Sequence, residues 1–194
     1  SRSYAAQMYP PRAEALPARP RAPDERISIG YFSSDFHEHA TLHLMGGLFA
    51  AHDRARFRIN VYSYDRALED EARRRVKHSV CQFRDISQIS DAQAAALARD
   101  DGIDIAVDLK GYTGDTRLGI FANRAAPVQV SWLGYPGSLG AEFIDYIIAD
   151  DVVIPRGYEK FYSEKVLRLP GSYQVNDDRR VISDRVYSRD ELGL

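Results

Sequence analysis

The sequence predicts an α/β protein built on a parallel β-sheet with flanking helices, and two observations support this fold class. Short runs rich in apolar and β-branched residues alternate along the chain with segments of helical pattern, which is the order expected of βαβ units. The chain has 194 residues, of which 44% are hydrophobic and 28% charged. That composition is typical of a protein with a single well-buried core. The parallel strands are expected to be joined by right-handed crossovers.

The predicted elements follow one another regularly. The first strand, residues 26–32, contains the apolar run ISIGYF, and the second, residues 57–64, is rich in aromatic and β-branched residues. The capping pattern S-x-x-Q from Ser90 to Gln93 opens a helix at residues 90–101, which Gly102 ends. The other strands are predicted at residues 81–84, 103–109, 127–132, 143–149 and 166–169, and the other helices at residues 41–52, 68–78 and 116–123.

The composition divides the chain into three parts. Residues 1–25 are rich in proline, alanine and arginine, and we expect a linker or strap there because repeated prolines cannot continue a helix. Residues 26–170 carry the alternating pattern and are predicted to form the lobe itself. Residues 171–194 are predicted to be a connector, because a capped segment begins near Ser188 and the sequence stops soon after it. We therefore expect one lobe of a longer protein.

Charge and cysteine content exclude several classes of protein. The net charge of -2 gives no global basic field for nucleic acid or an anionic membrane. No apolar run approaches the ~20 residues of a membrane span, and the N-terminus lacks the apolar core of a signal peptide. The single cysteine, Cys81, rules out an internal disulfide framework and is expected at a buried strand start. These features predict a cytoplasmic protein.

The junction between the first strand and the first helix is the most informative segment for function. Asp35, three histidines at positions 37, 39 and 43, and Thr41 lie within nine residues there. Ligands of open α/β sheets bind beyond the carboxyl ends of the strands, and a helix N-terminus offers N–H groups to an anion. His39 could accept a proton or orient a hydroxyl, and Asp35 could hold the imidazole tautomer or cap the helix.

His37, His39 and His43 could instead be the ligands of a metal-dependent hydrolase. His39 and His43 are four residues apart and share one helix face. However, no cysteine joins them, and the spacing lacks the glutamate of H-E-x-x-H. The sequence therefore favours a site without a metal.

Two further loops are predicted at the same edge of the sheet. Residues 108–114 contain two glycines and Tyr112, which could stack on a sugar or a peptide. Residues 132–140 contain three glycines, a proline and two aromatic residues, and such a loop is costly to order unless it is packed or functional. No G-x-G-x-x-G follows the first strand, and no phosphate-loop motif is present. If a nucleotide binds, it is therefore not bound through either of these motifs.

Several motifs in order strongly resemble the O-linked N-acetylglucosamine transferases and the related SPINDLY proteins, above all a bacterial homologue. The resemblance extends from about residue 26 to residue 170. It rests on IGYFSSDF at residues 29–36, HAT at 39–41, HLM at 43–45, KGYT at 110–113, APVQ at 126–129, WLGYPG at 132–137, DYIIAD at 145–150 and YSEK at 162–165.

The resemblance implies the Rossmann-like N-terminal lobe of a glycosyltransferase B fold, with a second lobe and helical repeats of the same protein as partners. It implies inverting transfer of N-acetylglucosamine from UDP-GlcNAc to Ser or Thr hydroxyls of a peptide or protein acceptor, with no metal required. His39 matches the family's active-site histidine and Asp35 a nearby acid important for activity. The remaining matches are to substrate-binding positions, with Thr41, Leu133 and Gly134 near the donor sugar and Tyr112 near the acceptor.

The chain departs from the family's pattern at three positions. Glu38 stands where Asn is common, Ala40 where Pro is common, and Lys110 where Asn is common. SPINDLY relatives transfer fucose on similar scaffolds, so a fucose-transferring relative is one alternative. A lobe that has lost catalysis and is kept as a binding module is another.

Overall fold

The computed structural model describes residues 2–17, 20, 22, 24–65, 69–179 and 183–194. Within these residues, seven strands form one sheet in the order β3-β2-β1-β4-β5-β6-β7, and every neighbouring pair is parallel. The strands are β1 (Ile27–Ser33), β2 (Phe57–Ser63), β3 (Gln82–Asp85), β4 (Ile105–Asp108), β5 (Val128–Ser131), β6 (Tyr146–Ala149) and β7 (Lys165–Arg168). The predicted α/β fold with a parallel sheet is confirmed.

Helices connect or flank these strands. They are α1 (Arg2–Met8), α2 (Ala40–Ala51), α3 (Glu71–Ser79), α4 (Asp91–Asp100) and α5 (Gly119–Ala122), with short 3₁₀ helices at Glu159–Phe161 and Asp190–Leu192. The helix predicted at residues 68–78 is α3, although residue 68 lies outside the described part of the chain. Within the described ranges, no helix has the length and apolar character needed to span a bilayer.

The helix predicted at residues 116–123 is wrong in length, because α5 has only four residues. Arg117 lies just before α5 and is anchored through its side chain. Its guanidinium donates to the carbonyl oxygens of Ile86 and Ile89 at 2.8 and 2.7 Å, and to the Asp91 carboxylate at 2.8 Å. These bonds fix residue 117 to the segment between β3 and α4.

The sheet order reverses between β1 and β4. The chain runs outward from β1 through β2 to β3, and then returns to place β4 on the other side of β1. Phe32 of β1 pairs with Asp108 of β4, so the two strands end side by side. A crevice opens at such a switch point beyond the carboxyl ends of the strands, which is where the three predicted loops begin.

The core has two halves, one on each face of the sheet. Phe32 and Tyr62 stack with ring centroids 4.4 Å apart on the face covered by α4 and α5. On the opposite face, Tyr31 packs edge-on against Phe49 of α2 at 5.5 Å. Adjacent residues of a strand point to opposite faces, so Tyr31 and Phe32 anchor β1 to both helical layers.

The α4 capping box forms as predicted, since the Ser90 hydroxyl accepts from the Gln93 N–H and the Gln93 side chain accepts from the Ser90 N–H. We expect Ser90→Ala to lower the unfolding free energy of the chain by about 1 kcal/mol, because the Gln93 N–H loses its capping acceptor. Ser90→Thr keeps a capping hydroxyl and should retain most of that stability. Urea denaturation of the two variants checks this, and equal loss in both would contradict it.

The segment before β1 packs on the lobe. Ala5 of α1 is buried, the Tyr4 ring meets Tyr112 edge-on at 5.3 Å, and the Arg12 N–H donates to the Ala122 carbonyl at 2.8 Å. The ring contact connects α1 to the loop after β4, and the Arg12 bond connects the segment that follows α1 to α5.

The segment after β7 also packs on the lobe. The Trp132 indole donates to the Tyr173 carbonyl at 3.0 Å, and the Tyr173 N–H donates to Asp150 at 2.8 Å. Cys81, expected to be buried, is exposed because it precedes β3 at the edge of the sheet.

Candidate active site

A cavity of about 830 Å³ opens at the carboxyl ends of β1, β4 and β5. It lies over the switch point of the sheet, where the sequence predicts the site. The side chains and backbone that line it are Ser34, Asp35, His37, His39, Thr41, Tyr64, Asp65, Leu109, Lys110, Thr113, Gly114, Asp115 and Gly134. The structure therefore brings together four of the six predicted site residues, namely Asp35, His39, Thr41 and Gly134.

Asp35 is held in the turn that follows β1. Its backbone N–H donates to the Ser33 hydroxyl at 3.0 Å, and its carboxylate accepts from the Ser34 hydroxyl at 2.9 Å. The residue is only 6% exposed. A carboxylate buried this deeply needs a partner of opposite charge.

Lys110 is that partner. Its Nζ lies 2.9 Å from Oδ1 and 3.0 Å from Oδ2 of Asp35, and both side chains are buried. Burial acts to raise the pKa of Asp35, but the hydrogen bond and charge of Lys110 outweigh it, so the pKa lies below its ordinary value. The cavity floor thus carries an ionised carboxylate and an ammonium group in contact.

His39 is the N-cap of α2. Its Nδ1 accepts from the Thr41 N–H at 3.2 Å, and it also lies 3.1 Å from the Thr41 hydroxyl. The Thr41 hydroxyl donates to Oδ2 of Asp35 at 3.2 Å. Because 42% of the His39 side chain is exposed, the imidazole is accessible from the cavity. Asp35, Thr41 and His39 therefore form one polar chain.

The three histidines proposed as metal ligands have separate partners. His37 Nδ1 lies 2.8 Å from Asp65, which is paired with the buried Arg73 at 2.7 Å. His43 Nε2 lies 2.9 Å from the exposed Glu38, on the outer side of the α2 N-terminus. Among the residues that the structure describes, no group of three His, Cys, Asp or Glu side chains is arranged to hold a metal ion.

Tyr112 is placed away from this cavity. Its hydroxyl donates to the Leu139 carbonyl at 2.6 Å, and its ring packs edge-on against Tyr135 at 5.7 Å. Burial, together with nearby Tyr4, raises the pKa of Tyr112 to about 12. Tyr112 thus connects the loops after β4 and β5, and in this arrangement its hydroxyl is already engaged.

Leu133 and Gly134 have different positions although they are neighbours. Leu133 has a φ of 70°, a left-handed conformation unusual for a residue with a side chain, and it packs against the core rather than lining the cavity. Gly134 does line the cavity. A Cβ at Gly134 would collide with the Leu109 carbonyl oxygen and lie 2.8 Å from its carbon. The two loops are in backbone contact at this point.

Sequence reasoning missed two residues beneath the cavity, Lys110 and Asp108. Asp108 ends β4, is 1% exposed, and accepts from the N–H groups of Lys110 at 3.0 Å and Gly111 at 2.8 Å. Burial raises the pKa of Asp108 to about 6, against these two bonds and the Lys110 charge, which lower it. The one sequence signal was Lys110 itself, which stands where the family commonly has an amide.

The raised pKa of Asp108 makes stability depend on pH. Between about pH 4 and 6 the folded chain holds a proton at Asp108 that the unfolded chain has lost, so the unfolding free energy falls as pH rises. The full effect is about 3 kcal/mol above pH 6. In Asp108→Asn this dependence is absent, and the stability of the variant relative to the parent should increase across that window.

Urea denaturation of both chains at intervals from pH 4 to pH 7 measures this difference. The amide supplies one acceptor fewer for the two N–H groups, which adds a loss of stability that does not vary with pH. A difference that stays constant across the window would contradict the assignment to Asp108.

The sequence of the chain is similar to those of known proteins. A sequence model of Glycosyl transferase family 41 matches residues 12–189. The probable UDP-N-acetylglucosamine–peptide N-acetylglucosaminyltransferase SEC of Arabidopsis thaliana is 39% identical over 169 residues, covering 87% of this chain and 17% of that protein. The UDP-N-acetylglucosamine–peptide N-acetylglucosaminyltransferase of Caenorhabditis elegans is 38% identical over 173 residues, covering 86% of this chain and 15% of that protein. The chain therefore spans about one sixth of the length of these relatives.

A solved structure supports the same relationship. A mutant of the Thermobaculum terrenum O-GlcNAc transferase superposes with a TM-score of 0.82 at 33% identity, covering 87% of this chain and 33% of that chain. The superposition confirms the predicted Rossmann-like lobe of a glycosyltransferase. A family match that includes nearly the whole chain, together with this structural likeness, shows that the chain belongs to glycosyl transferase family 41.

Proposed function

We propose that this chain is the N-terminal catalytic lobe of an inverting protein O-glycosyltransferase. The donor is UDP-GlcNAc, and the acceptor is a Ser or Thr hydroxyl of a peptide or protein. The observation that carries the proposal is the cavity at the switch point, where His39, Thr41 and Asp35 form a polar chain in a member of this family. The names of the relatives support the same donor and a peptide acceptor.

The reaction sets two chemical demands on the site. The acceptor oxygen attacks the anomeric carbon, the bond from that carbon to the β-phosphate oxygen breaks, and UDP leaves with the electron pair. The hydroxyl proton must pass to an acceptor, and the leaving diphosphate must be stabilised by N–H donors or cations. In our proposal, His39 accepts or positions a proton at the acceptor side, and Thr41 and Gly134 border the donor sugar.

The proposal includes the rest of the protein. A second lobe completes the cleft and carries most of the UDP contacts, and helical repeats present the acceptor. No metal is required in this scheme, and neither nucleic acid nor a membrane is a partner. The proposed location is the cytoplasm, where UDP-GlcNAc and protein acceptors meet.

Isothermal titration of the full-length protein with UDP, UDP-GlcNAc and GDP-fucose, first without metal and then with EDTA, tests the donor. Binding of UDP and UDP-GlcNAc that survives EDTA supports the proposal, and mass spectrometry of an added peptide then shows whether sugar is transferred. Preference for GDP-fucose would make the protein a SPINDLY-type fucose transferase. Binding of none of the three would favour a binding module, whereas loss of binding with EDTA would contradict the metal-free scheme.

A further inference from the structure

A buried glutamate at the start of β7 holds the loop that follows β5. Glu164 directly precedes β7 and is 4% exposed. Its Oε1 accepts from the Leu139 N–H and its Oε2 from the Ser138 hydroxyl, both at 2.8 Å. Within the part of the chain that the structure describes, no lysine, arginine or histidine pairs with this carboxylate. A carboxylate buried without a cation is costly, so the two donors from the loop are what stabilises it.

The contacts of Ser138 show that position 164 needs a side chain that only accepts. The Ser138 oxygen accepts from the N–H groups of Gly140 and Ser163, both at 3.2 Å, and these occupy its two lone pairs. Its one proton is therefore donated, and Glu164 at 2.8 Å is closer than the Ser163 hydroxyl at 3.1 Å. The Leu139 N–H also only donates. A carboxylate suits both donors, whereas a glutamine amide offers one oxygen and one donating group.

Leu139 connects Glu164 to the loop after β4. Its side chain is buried, and its carbonyl accepts from the Tyr112 hydroxyl at 2.6 Å. Tyr112 is followed directly by residues 113–115, which line the cavity. Glu164 does not line the cavity, but it is connected to one of its walls through Leu139 and Tyr112.

We infer that Glu164 is a positioning residue: by holding Leu139 it fixes Tyr112, and it thereby keeps residues 113–115 in place as the wall of the cavity that faces the acceptor. The inference rests on the proposed function, because an acceptor binds in this cavity only there. It adds to that function a residue that touches no substrate and acts through a neighbouring loop.

The donor side of the cavity is held by other contacts. Gly134 packs against the Leu109 carbonyl, and Thr41 belongs to α2. In the proposed function these two residues border the donor sugar, and within the described ranges neither forms a hydrogen bond with Glu164 or Tyr112. We therefore expect Glu164 to affect the KM for the acceptor and not the KM for the donor.

The test uses the full-length protein, UDP-GlcNAc, and the peptide in which mass spectrometry detects transferred sugar. In Glu164→Ala, the KM for the peptide should rise about 10-fold, the scale of hydrogen bonds lost from a charged group, and the KM for UDP-GlcNAc should stay within about twofold. Glu164→Gln keeps the volume and one bond, so it tests the inference even if the alanine variant does not fold. It should raise the peptide KM by about 3-fold. An unchanged peptide KM, or an equal rise in both KM values, would overturn the inference.

Glu159 provides the matched control, because it lies in the same connection between β6 and β7. Its carboxylate accepts from the Gly157 N–H at 2.7 Å and pairs with Arg168 at 2.5 Å, so Glu159→Ala also removes two contacts of a glutamate. These contacts do not involve the loop after β5. Both KM values should stay within about twofold of the parent. A peptide KM raised as much as in Glu164→Ala would indicate a general loosening of the lobe and overturn the inference.

The substitution Tyr112→Phe tests whether Glu164 acts through Leu139. It removes only the hydroxyl that donates to the Leu139 carbonyl. If the two side chains act through one connection, the double variant Glu164→Ala with Tyr112→Phe should have a peptide KM close to that of the more affected single variant. Effects that multiply in the double variant would show two independent roles and overturn the inference.

Hydrogen exchange followed by mass spectrometry requires no activity and separates the inference from the proposed function. In Glu164→Ala, the amides of residues 111–116 should exchange faster because their loop has lost its restraint, whereas in Glu159→Ala they should not. This result in a protein that transfers no sugar would support the positioning role and contradict the transferase proposal. Sugar transfer with parental exchange of residues 111–116 in Glu164→Ala would overturn the inference and leave the transferase proposal standing.

Discussion

Replacing His39 with alanine is expected to lower the turnover number of the full-length protein by ~10²-fold or more, the usual scale of a general acid–base contribution. His39 lines the cavity, is accessible, and is connected through Thr41 to the ionised Asp35. Steady-state transfer to a peptide, followed from pH 5 to pH 9, measures the loss. Unchanged turnover in the variant would contradict the assignment of His39 to the active site.

His39 also caps α2, so the structural effect of the substitution must be separated from the chemical one. Loss of a cap costs about 1 kcal/mol of stability, and His39→Asn keeps a side chain that can cap. We expect His39→Asn to recover the stability but not the turnover. His43→Ala removes a half-exposed histidine that is paired with Glu38 outside the cavity, and its turnover should stay within about twofold of the parent.

Gly134→Ala is expected to be the most damaging single-methyl change in the lobe. The new Cβ would collide with the Leu109 carbonyl oxygen and lie 3.0 Å from the Cα of Lys110, and both contacts are backbone atoms that cannot rotate away. The loops after β4 and β5 would have to separate. We expect a loss of about 3 kcal/mol in unfolding free energy, and turnover lowered by ~10²-fold because Lys110 and the cavity floor move together.

Gly114→Ala provides the matched control for stability. Gly114 lies in the same loop as Lys110, but a Cβ there would meet no described atom within 4 Å. Its unfolding free energy should change by less than about 0.5 kcal/mol. Urea denaturation and melting temperature compare the two variants. Similar stability of the alanine variants at positions 114 and 134 would contradict the backbone contact between the loops.

The fold could be predicted from the sequence because its signals are local. The alternating apolar runs predicted the first and last residues of the strands to within about three residues, and the S-x-x-Q pattern predicted the α4 capping box correctly. The helix predicted at residues 116–123 is wrong in length: only residues 119–122 are helical, after a turn in which Asp115 has a left-handed φ of 58° that periodicity does not reveal.

The candidate site could be predicted in position but only partly in detail. The junction after β1 indicated Asp35, His39 and Thr41, all of which line the cavity. In the sequence, Lys110 stands out only as a departure from the family's pattern. A lysine in a loop is ordinarily exposed, and the carboxylate partner of Lys110 lies 75 residues away along the chain. The orientation of Tyr112 depends on its contact with Leu139, and such packing has no signature in a single sequence.

The pairing of β1 with β4 has a consequence for how the chain folds. Everything between them, including β2 and β3, must be looped out before Lys110 can reach Asp35, and loop-closure entropy increases with the number of residues enclosed. Contacts of such high sequence separation slow the folding of a domain. Asp35 and Lys110 can therefore pair only once β1 and β4 lie side by side. During synthesis, Lys110 is added to the chain 75 residues after Asp35. The candidate site can therefore form only after β1 and β4 have paired.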